Sequence, residues 1–386
     1  MKPITQIVLN LTDDCNLKCK YCFVEQHPHR MSYKVAEDAV EWVLKNAKEV
    51  DEEQPPAVGF FGGEPALEWD TIIVPIVKKY FGKVNFSITS NTTLMMEERL
   101  KFLAEHNVEY LFSIDGNRYC QDVNRPTKNN TSSFDLLEDK LDLVSKYFPN
   151  CTFRSTITPE TCHLMYENIK FATEHGYKMV FQIPNFFGEW NEEHQKEIAK
   201  QLRMYSLYLI NCFINDYPFT RYFLFELAMK KVYQMLYFQE NGNKTDVKSK
   251  YKCGLGSGHY ASINYEGKIF ACQEMDSRND GDYFHIGDIY NGRDEAKVQK
   301  IINDFLEEDN HSEYCGECIL KTICANNCCV ANNYIQYKDI NRCNPMTCWW
   351  DNQLVKEVLF VCNVLGNGKN QKFKDYFLDI GRGERW

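Results

Sequence analysis

The stretch DDCNLKCKYCF, residues 13–23, places Cys15, Cys19 and Cys22 directly behind a short apolar run at residues 4–10. A β-branched, apolar run of that length reads as a strand, so the three cysteines occupy the loop that leaves its C-terminal end. Their C-x3-C-x2-C spacing is too regular for packing alone and marks a metal centre. Structural zinc closes a set of four ligands, and the next residues offer only His27 and His29 as further donors. An iron-sulfur cube on three cysteines instead keeps one iron open for another ligand.

Outward from this loop, short apolar runs alternate with helical periodicity. Strands are expected at 4–10, 57–61, 84–89, 110–114, 152–157 and 179–183, with helical stretches between them. In the first helix, residues 33–49, Val35, Ala39, Val43 and Ala47 form one stripe. Six βα units in strict alternation favour a parallel sheet with crossover helices, and pattern alone leaves closed barrel and open sheet unseparated. The working face of such folds lies at the strands' C-terminal ends. Four successive loops carry their chemistry there: Cys15 to Cys22, GGEP at 62–65, TSNTT at 89–93 and SIDG at 113–116. Residues 190–240 read as long helices rich in Tyr and Phe, followed by the polar run NGNKTDVKSK at 241–250. Two domains are therefore expected, residues 1–240 and residues 241–386.

The 386 residues are 44% hydrophobic and 25% charged, ordinary values for a globular chain. A net charge of -10 without any long Lys/Arg block argues against nucleic acid or anionic lipid as partner and suits a neutral or basic substrate. No apolar run approaches the roughly 18 residues of a membrane span, and Met1-Lys2-Pro3 does not open a signal peptide, so a cytoplasmic protein is expected. Seventeen cysteines in a reducing compartment point to metal or cluster ligation rather than a disulfide framework.

C-x3-C-x2-C with Tyr21 ahead of the last cysteine resembles the radical S-adenosylmethionine (SAM) superfamily. There the fourth position of a 4Fe-4S cube is filled by SAM's amino and carboxylate groups. GGEP resembles the family's glycine-rich loop at the methionine amino group, which implies Gly62, Gly63 and Glu64 as SAM contacts. Ser113 in SIDG and Arg125 in DVNRP match the pair at the ribose and carboxylate of SAM. Tyr21, Asn91 and Ile183 are the remaining implied cofactor contacts. The resemblance covers residues 4–185 and implies an α/β fold built on a partial (β/α)6 barrel.

A second constellation comprises Cys253, Cys272, Cys315, Cys318, Cys324, Cys328 and Cys348, with C-x2-C-x5-C-x3-C running from 315 to 328. Tight C-x2-C pairs also build zinc ribbons. The pattern, with Gly267-x4-Cys272 ahead of it, resembles the SPASM extension of radical SAM proteins, a smaller cysteine-rich α+β domain holding two auxiliary 4Fe-4S clusters. By that resemblance Cys315, Cys318, Cys324 and Cys348 hold the outer cluster, and Cys253, Cys272 and Cys328 the inner one. Cys343 competes with Cys348, which is preferred because the helical run WWDNQLVKEVL follows it, and Cys329 competes with Cys328. Two positions depart from the sulfatase-maturase form: His259 stands where that form has a further cysteine, and Gln273 where it has an aspartate base. The CGLG form at 253–256 instead resembles maturases that join a cysteine sulfur to another residue's carbon. A three-thiolate cluster leaves an iron for a substrate thiolate, with His259 as the rival ligand. Cys120, Cys151, Cys162, Cys212 and Cys362 have no partner spacing and read as buried, inert thiols.

The resemblance implies three 4Fe-4S clusters, one of them SAM-binding, and a ribosomally made, cysteine-containing peptide as substrate. A flavodoxin- or ferredoxin-type protein would supply electrons. With one strand ahead of Cys15, leader recognition is expected from residues 190–240, the C-terminal tail or a separate leader-binding protein. Other radical SAM outcomes share every motif, and a non-enzymatic zinc or electron-transfer protein is the rival of a different class.

Overall fold

The computed structural model describes residues 3–49, 55–237, 259–306, 318, 320, 333–342, 344–366, 368 and 370–383. It divides into two compact units that interleave along the chain: Met1–Ser113, Asn124–Cys151 and Lys250–Asp309 in the first, Ile114–Val123, Thr152–Ser249 and Asn310–Trp386 in the second.

In the first unit β1 (Gln6–Asn10), β2 (Ala57–Phe61), β3 (Asn85–Ser90) and β4 (Glu109–Ser113) are consecutive parallel neighbours. Helices α1 (Tyr33–Glu49), α2 (Val74–Tyr80) and α3 (Glu97–Glu105) connect them. Ile7, Leu9, Val58, Phe86 and Ile88 are buried along these strands, and Phe60 stacks on Phe86 with ring centroids 5.5 Å apart. The buried face of α1 is Ala36, Ala39, Val40 and Val43, which corrects the expected stripe through Val35 and Ala47. A strict i+4 row drifts around a helix of about 3.6 residues per turn, so the mixed i+3/i+4 row meets the sheet.

The second unit contains α4 (Arg118–Asn124) except for its last residue, β5 (Thr152–Ile157), α6 (Met165–Glu174) and β6 (Met179–Pro184). The short helix α5 (Leu141–Tyr147) belongs to the first unit. Strands β5 and β6 pair in parallel over six residues, and β7 (Arg221–Tyr222) continues the ladder on β6. The aromatic stretch forms α7 (Glu192–Asn215), started by an Asn191–His194 capping box, and α8 (Phe223–Tyr237). Buried carboxylates clamp these helices: Glu357 accepts from Arg203 at 2.8 and 3.1 Å and from Ser206 at 2.9 Å, and Glu226 accepts from Arg221 and Tyr376.

The alternation ends where expected, but the chain then returns to the first sheet. Strand β8 (Tyr260–Ile263) lies parallel to β1, and β9 (Lys268–Phe270), β10 (His285–Asp288) and β11 (Gly292–Arg293) extend it antiparallel. Strand order in this unit is β11-β10-β9-β8-β1-β2-β3-β4. Gly267, with φ +83°, makes the β8–β9 turn, so the Gly267-x4-Cys272 spacing lies on an antiparallel hairpin. Helix α9 (Glu295–Leu306) closes this unit, while α10 (Ile335–Tyr337), α11 (Pro345–Leu365) and α12 (Gln371–Arg382) belong to the other. No described helix is long and apolar enough to cross a membrane.

Candidate active site

The cysteine loop leaves β1 and is pinned on several sides within the first unit. Lys18 and Lys20 donate backbone N–H bonds to the carbonyls of Pro126 and Asn124, at 2.8 and 2.9 Å, so the loop runs beside the segment that carries Arg125. Gln26 closes the loop by donating 2.9 Å to the Leu17 carbonyl. Asp14 turns outward to Lys128 at 2.6 Å, which holds its carboxyl below the usual range, and also meets Arg30. Cys15 is buried, Cys19 half-buried and Cys22 exposed.

Burial, then the Glu64 carboxylate, pushes the Cys15 thiol well up, and Cys19 and Cys22 push it further, so the three sulfurs act on one another. Opposing donors face them. Leu17 N–H donates to Cys15 Sγ at 3.4 Å, and the Asn91 amide approaches the same sulfur at 3.7 Å. Although the Cys22 residue is exposed, its sulfur is desolvated by the surrounding loop, which pushes the thiol up, against a Val24 backbone bond and the Arg125 charge. A bound cation reverses that balance and favours thiolates.

The glycines of GGEP serve the cysteine loop directly. A Cβ on Gly62, whose φ is +133°, would stand 2.3 Å from the Thr12 carbonyl oxygen, and one on Gly63 would stand 2.1 Å from that of Asp14. This close approach lets Gly63 N–H donate to Thr12 at 2.7 Å and Glu64 N–H to Asp14 at 2.9 Å. The Glu64 side chain, 1% exposed, then accepts from Ser90 Oγ at 2.8 Å, Asn91 N–H at 2.9 Å and Ala66 N–H at 3.1 Å. It thereby ties the second-strand loop to the third. Asn91 donates to Asn16 at 3.0 Å and accepts from Thr93 Oγ1 at 2.6 Å, while Asn16 donates to the same Thr93 hydroxyl at 2.7 Å. The side chains of Glu64 and Asn91 thus organise the loops around Cys15.

Arg125 is buried and its guanidinium lies 5.4 Å from the centre of the Tyr21 ring. Its charge reaches both Cys22 and Glu64. Ser113 is buried at the last residue of β4. Tyr21, Gly62, Gly63, Glu64, Asn91, Ser113 and Arg125 all belong to one compact unit with the three cysteines, whereas Ile183 lies half-buried on β6 of the other.

The Radical SAM superfamily profile matches residues 9–172. The chain carries a radical SAM domain. It is 25% identical over 194 residues to a cysteine-type anaerobic sulfatase-maturating enzyme of Clostridium novyi, covering 48% of this chain and 52% of the relative. It is 23% identical over 298 residues to the radical SAM cyclopropyl synthase TigE of Paramaledivibacter caminithermalis, covering 70% and 58%. Among solved structures, native anSMEcpe with bound AdoMet and Cp18Cys peptide superposes with a TM-score of 0.70 at 19% identity, over 94% of this chain and 99% of that one. The chain spans between half and two thirds of the length of these curated relatives. The structural likeness bears out the expected α/β class, and a partial barrel accords with it.

The radical SAM domain's loop suits a cluster held by three thiolates. It supplies three soft sulfur ligands, N–H donors aimed at Cys15 and Cys22, and the Arg125 charge acting on Cys22. Among the described residues no three His, Cys, Asp or Glu side chains are placed as ligands of one ion, whereas the thiolates of a cube bind separate irons.

Sequence reasoning passed over the polar layer beneath the loop. Asn10 donates to Asp13 Oδ1 at 3.0 Å and to Asp276 Oδ1 at 2.9 Å, and Asp13 Oδ2 lies 2.9 Å from His29 Nδ1. His29 stacks on Tyr265 at 4.3 Å. The only local signal was that Asn10 and Asp13 flank a strand end beside the cysteines. Burial pushes the Asp276 carboxyl up to about 7, with the Asp13 charge adding to it. Its ordinary value is 3.8, so the stability of the neutral folded form is complete below that value and is lost as pH rises through about 7. Asp276→Asn lacks this loss. Between about pH 5 and pH 8 its stability should climb relative to wild type by roughly 3 kcal/mol, read from thermal unfolding of the two full-length proteins.

Of the second constellation, Cys253, Cys315, Cys324 and Cys328 lie outside the described residues, as do the rivals Cys329 and Cys343. Cys272 follows β9, Cys318 is half-buried, and Cys348 sits in the first turn of α11 behind the Asn344 cap. His259 is exposed, and its carbonyl accepts from Thr5 and Gln6 at 2.8 and 2.6 Å. Gln273 accepts from the Tyr260 hydroxyl. Burial pushes Cys120, Cys151 and Cys362 to about 12 and Cys162 to about 11 and raises Cys212, which keeps all five as neutral thiols.

Proposed function

We propose that the chain is a radical SAM peptide maturase that forms a thioether between a cysteine sulfur and another residue's carbon in a ribosomally made peptide. The observation that carries the SAM chemistry is the packing of GGEP against the C-x3-C-x2-C loop with Arg125 beside it. Cys15, Cys19 and Cys22 hold a 4Fe-4S cluster, and Tyr21, Gly62, Gly63, Glu64, Asn91, Ser113, Arg125 and Ile183 serve SAM directly or through the loops they brace. A 4Fe-4S cluster held there would, when reduced, supply the electron needed to split SAM into methionine and a 5'-deoxyadenosyl radical able to take a hydrogen atom from a peptide carbon. Arg125 and the backbone donors around Cys15 offset negative charge at that site. Relatives support the peptide substrate: the anSMEcpe structure holds a bound Cp18Cys peptide, and the Clostridium novyi relative is a sulfatase-maturating enzyme.

The thioether outcome rests on the CGLG pattern and on Gln273. A carboxamide cannot take the base role of an aspartate. A flavodoxin- or ferredoxin-type donor would reduce the clusters, and leader recognition falls to α7 and α8, the C-terminal tail or a separate protein. Product analysis tests the outcome. A thioether removes two hydrogens and blocks alkylation of the substrate cysteine. Loss of two hydrogens with that cysteine still alkylated indicates a carbon–carbon bond, and loss of two hydrogens together with exchange of its sulfur for oxygen indicates formylglycine.

The auxiliary clusters are assigned to Cys253, Cys272 and Cys328, and to Cys315, Cys318, Cys324 and Cys348. A helix N-terminus favours a thiolate, which supports Cys348. Cys348→Ala should therefore lose about four irons per chain while Cys343→Ala keeps about twelve, measured as iron and acid-labile sulfide. The reverse pattern moves the ligand to Cys343.

A further inference from the structure

Asp276 matches no SAM contact and is no cysteine ligand, yet it is a buried carboxylate joined to the cysteine loop. The Asn10 amide nitrogen commits both hydrogens to carboxylates, at 2.9 Å to Asp276 and 3.0 Å to Asp13. The second Asp276 oxygen accepts from the Ser262 hydroxyl on β8. Asn10 Oδ1 faces Gly62, 2.5 Å from where a Cβ would stand. One carboxylate from the segment after Cys272 therefore meets, through a single amide, the end of β1, the residue two before Cys15 and the first glycine of GGEP. An apolar side chain would fill the same space without the cost of burying a carboxylate, but it would hold none of these groups.

We propose that Asp276 is a positioning residue: through Asn10 and Asp13 it fixes the cysteine loop from the β8–β9 side, and so sets the geometry in which Cys15, Cys19 and Cys22 hold their cluster and present it to SAM. The proposal rests on the reading of those cysteines as cluster ligands.

The test compares full-length wild type, Asp276→Asn, Asp276→Ala and Asn10→Ala after anaerobic reconstitution. The readouts are iron per chain, the electron paramagnetic resonance signal of the reduced cluster with and without SAM, and the SAM affinity taken from that change. Thermal unfolding is followed alongside. Asp276→Asn keeps an oxygen for Asn10 and turns its amide to Ser262, whose hydroxyl then meets the Val8 carbonyl 3.5 Å away. It should rescue the wild-type signal. Asp276→Ala and Asn10→Ala should each shift the signal and weaken SAM binding by roughly tenfold, the lower end of the effect of losing an outer partner of a metal ligand. Asn10→Ala leaves Asp276 bonded to Ser262, so it supplies the answer if Asp276→Ala does not fold. Wild-type signal and SAM affinity in the alanine variants would overturn the role of Asp276. A wild-type cluster whose signal ignores SAM would overturn the cluster reading itself.

Discussion

Alanine at Cys15, Cys19 or Cys22 should abolish formation of 5'-deoxyadenosine from SAM and remove about four irons per chain. Each sulfur would hold a separate iron of one cube, so losing any one leaves a second iron open and exposes the cluster to water. The three positions are not equally protected. Cys15 is 7% exposed and carries the N–H donor of Leu17, whereas Cys22 lies at the exposed end of the loop. Cys22→Ala should therefore leave the fold intact and Cys15→Ala should lower the unfolding temperature as well. Alanine at Cys120 or Cys151, both buried and pushed to about 12, should leave SAM cleavage in place. Iron content and chromatographic detection of 5'-deoxyadenosine in the same samples check this.

Gly63→Ala has the second-largest effect. The added Cβ would stand 2.1 Å from the Asp14 carbonyl oxygen and 2.5 Å from its carbon, and backbone cannot swing aside as a side-chain tip does. Overpacking costs about 1–3 kcal/mol, and forcing the loops apart breaks the Gly63-to-Thr12 and Glu64-to-Asp14 bonds as well. The cysteine loop moves rather than the sheet beneath it. SAM cleavage should fall at least tenfold with most of the folded protein retained, a scale set by lost outer support of a metal site. Gly82→Ala is the comparison: its φ of +75° strains an alanine, but nothing lies within 4 Å of the new Cβ. It should lose about 1 kcal/mol of stability and leave SAM cleavage unchanged.

These two expectations differ in how far the sequence alone supports them. The cysteine loop was legible because three cysteines at short spacing behind an apolar run are a local signal, and the six strands because alternation is another. The strands at 57–61 and 152–157 match to the residue. Gly62 and Gly63, implied by the resemblance as SAM contacts, also approach the backbone of Thr12 and Asp14, which no local pattern announces. What stayed hidden depends on long-range register. Only the parallel pairing of β8 with β1 brings Ser262 and Asp276 to Asn10, 266 positions from Asp276. Likewise Asp14 finds Lys128 across 114 positions. Neither pairing leaves a periodic trace, because a single buried polar contact needs only one residue from each segment.

The most direct test of the central claim is incubation of the reconstituted, reduced wild-type chain with SAM under anaerobic conditions, followed by measurement of 5'-deoxyadenosine and methionine. Both products should form, with formation dependent on the reductant and absent in Cys15→Ala. A chain carrying its full complement of iron and sulfide that leaves SAM intact would contradict it.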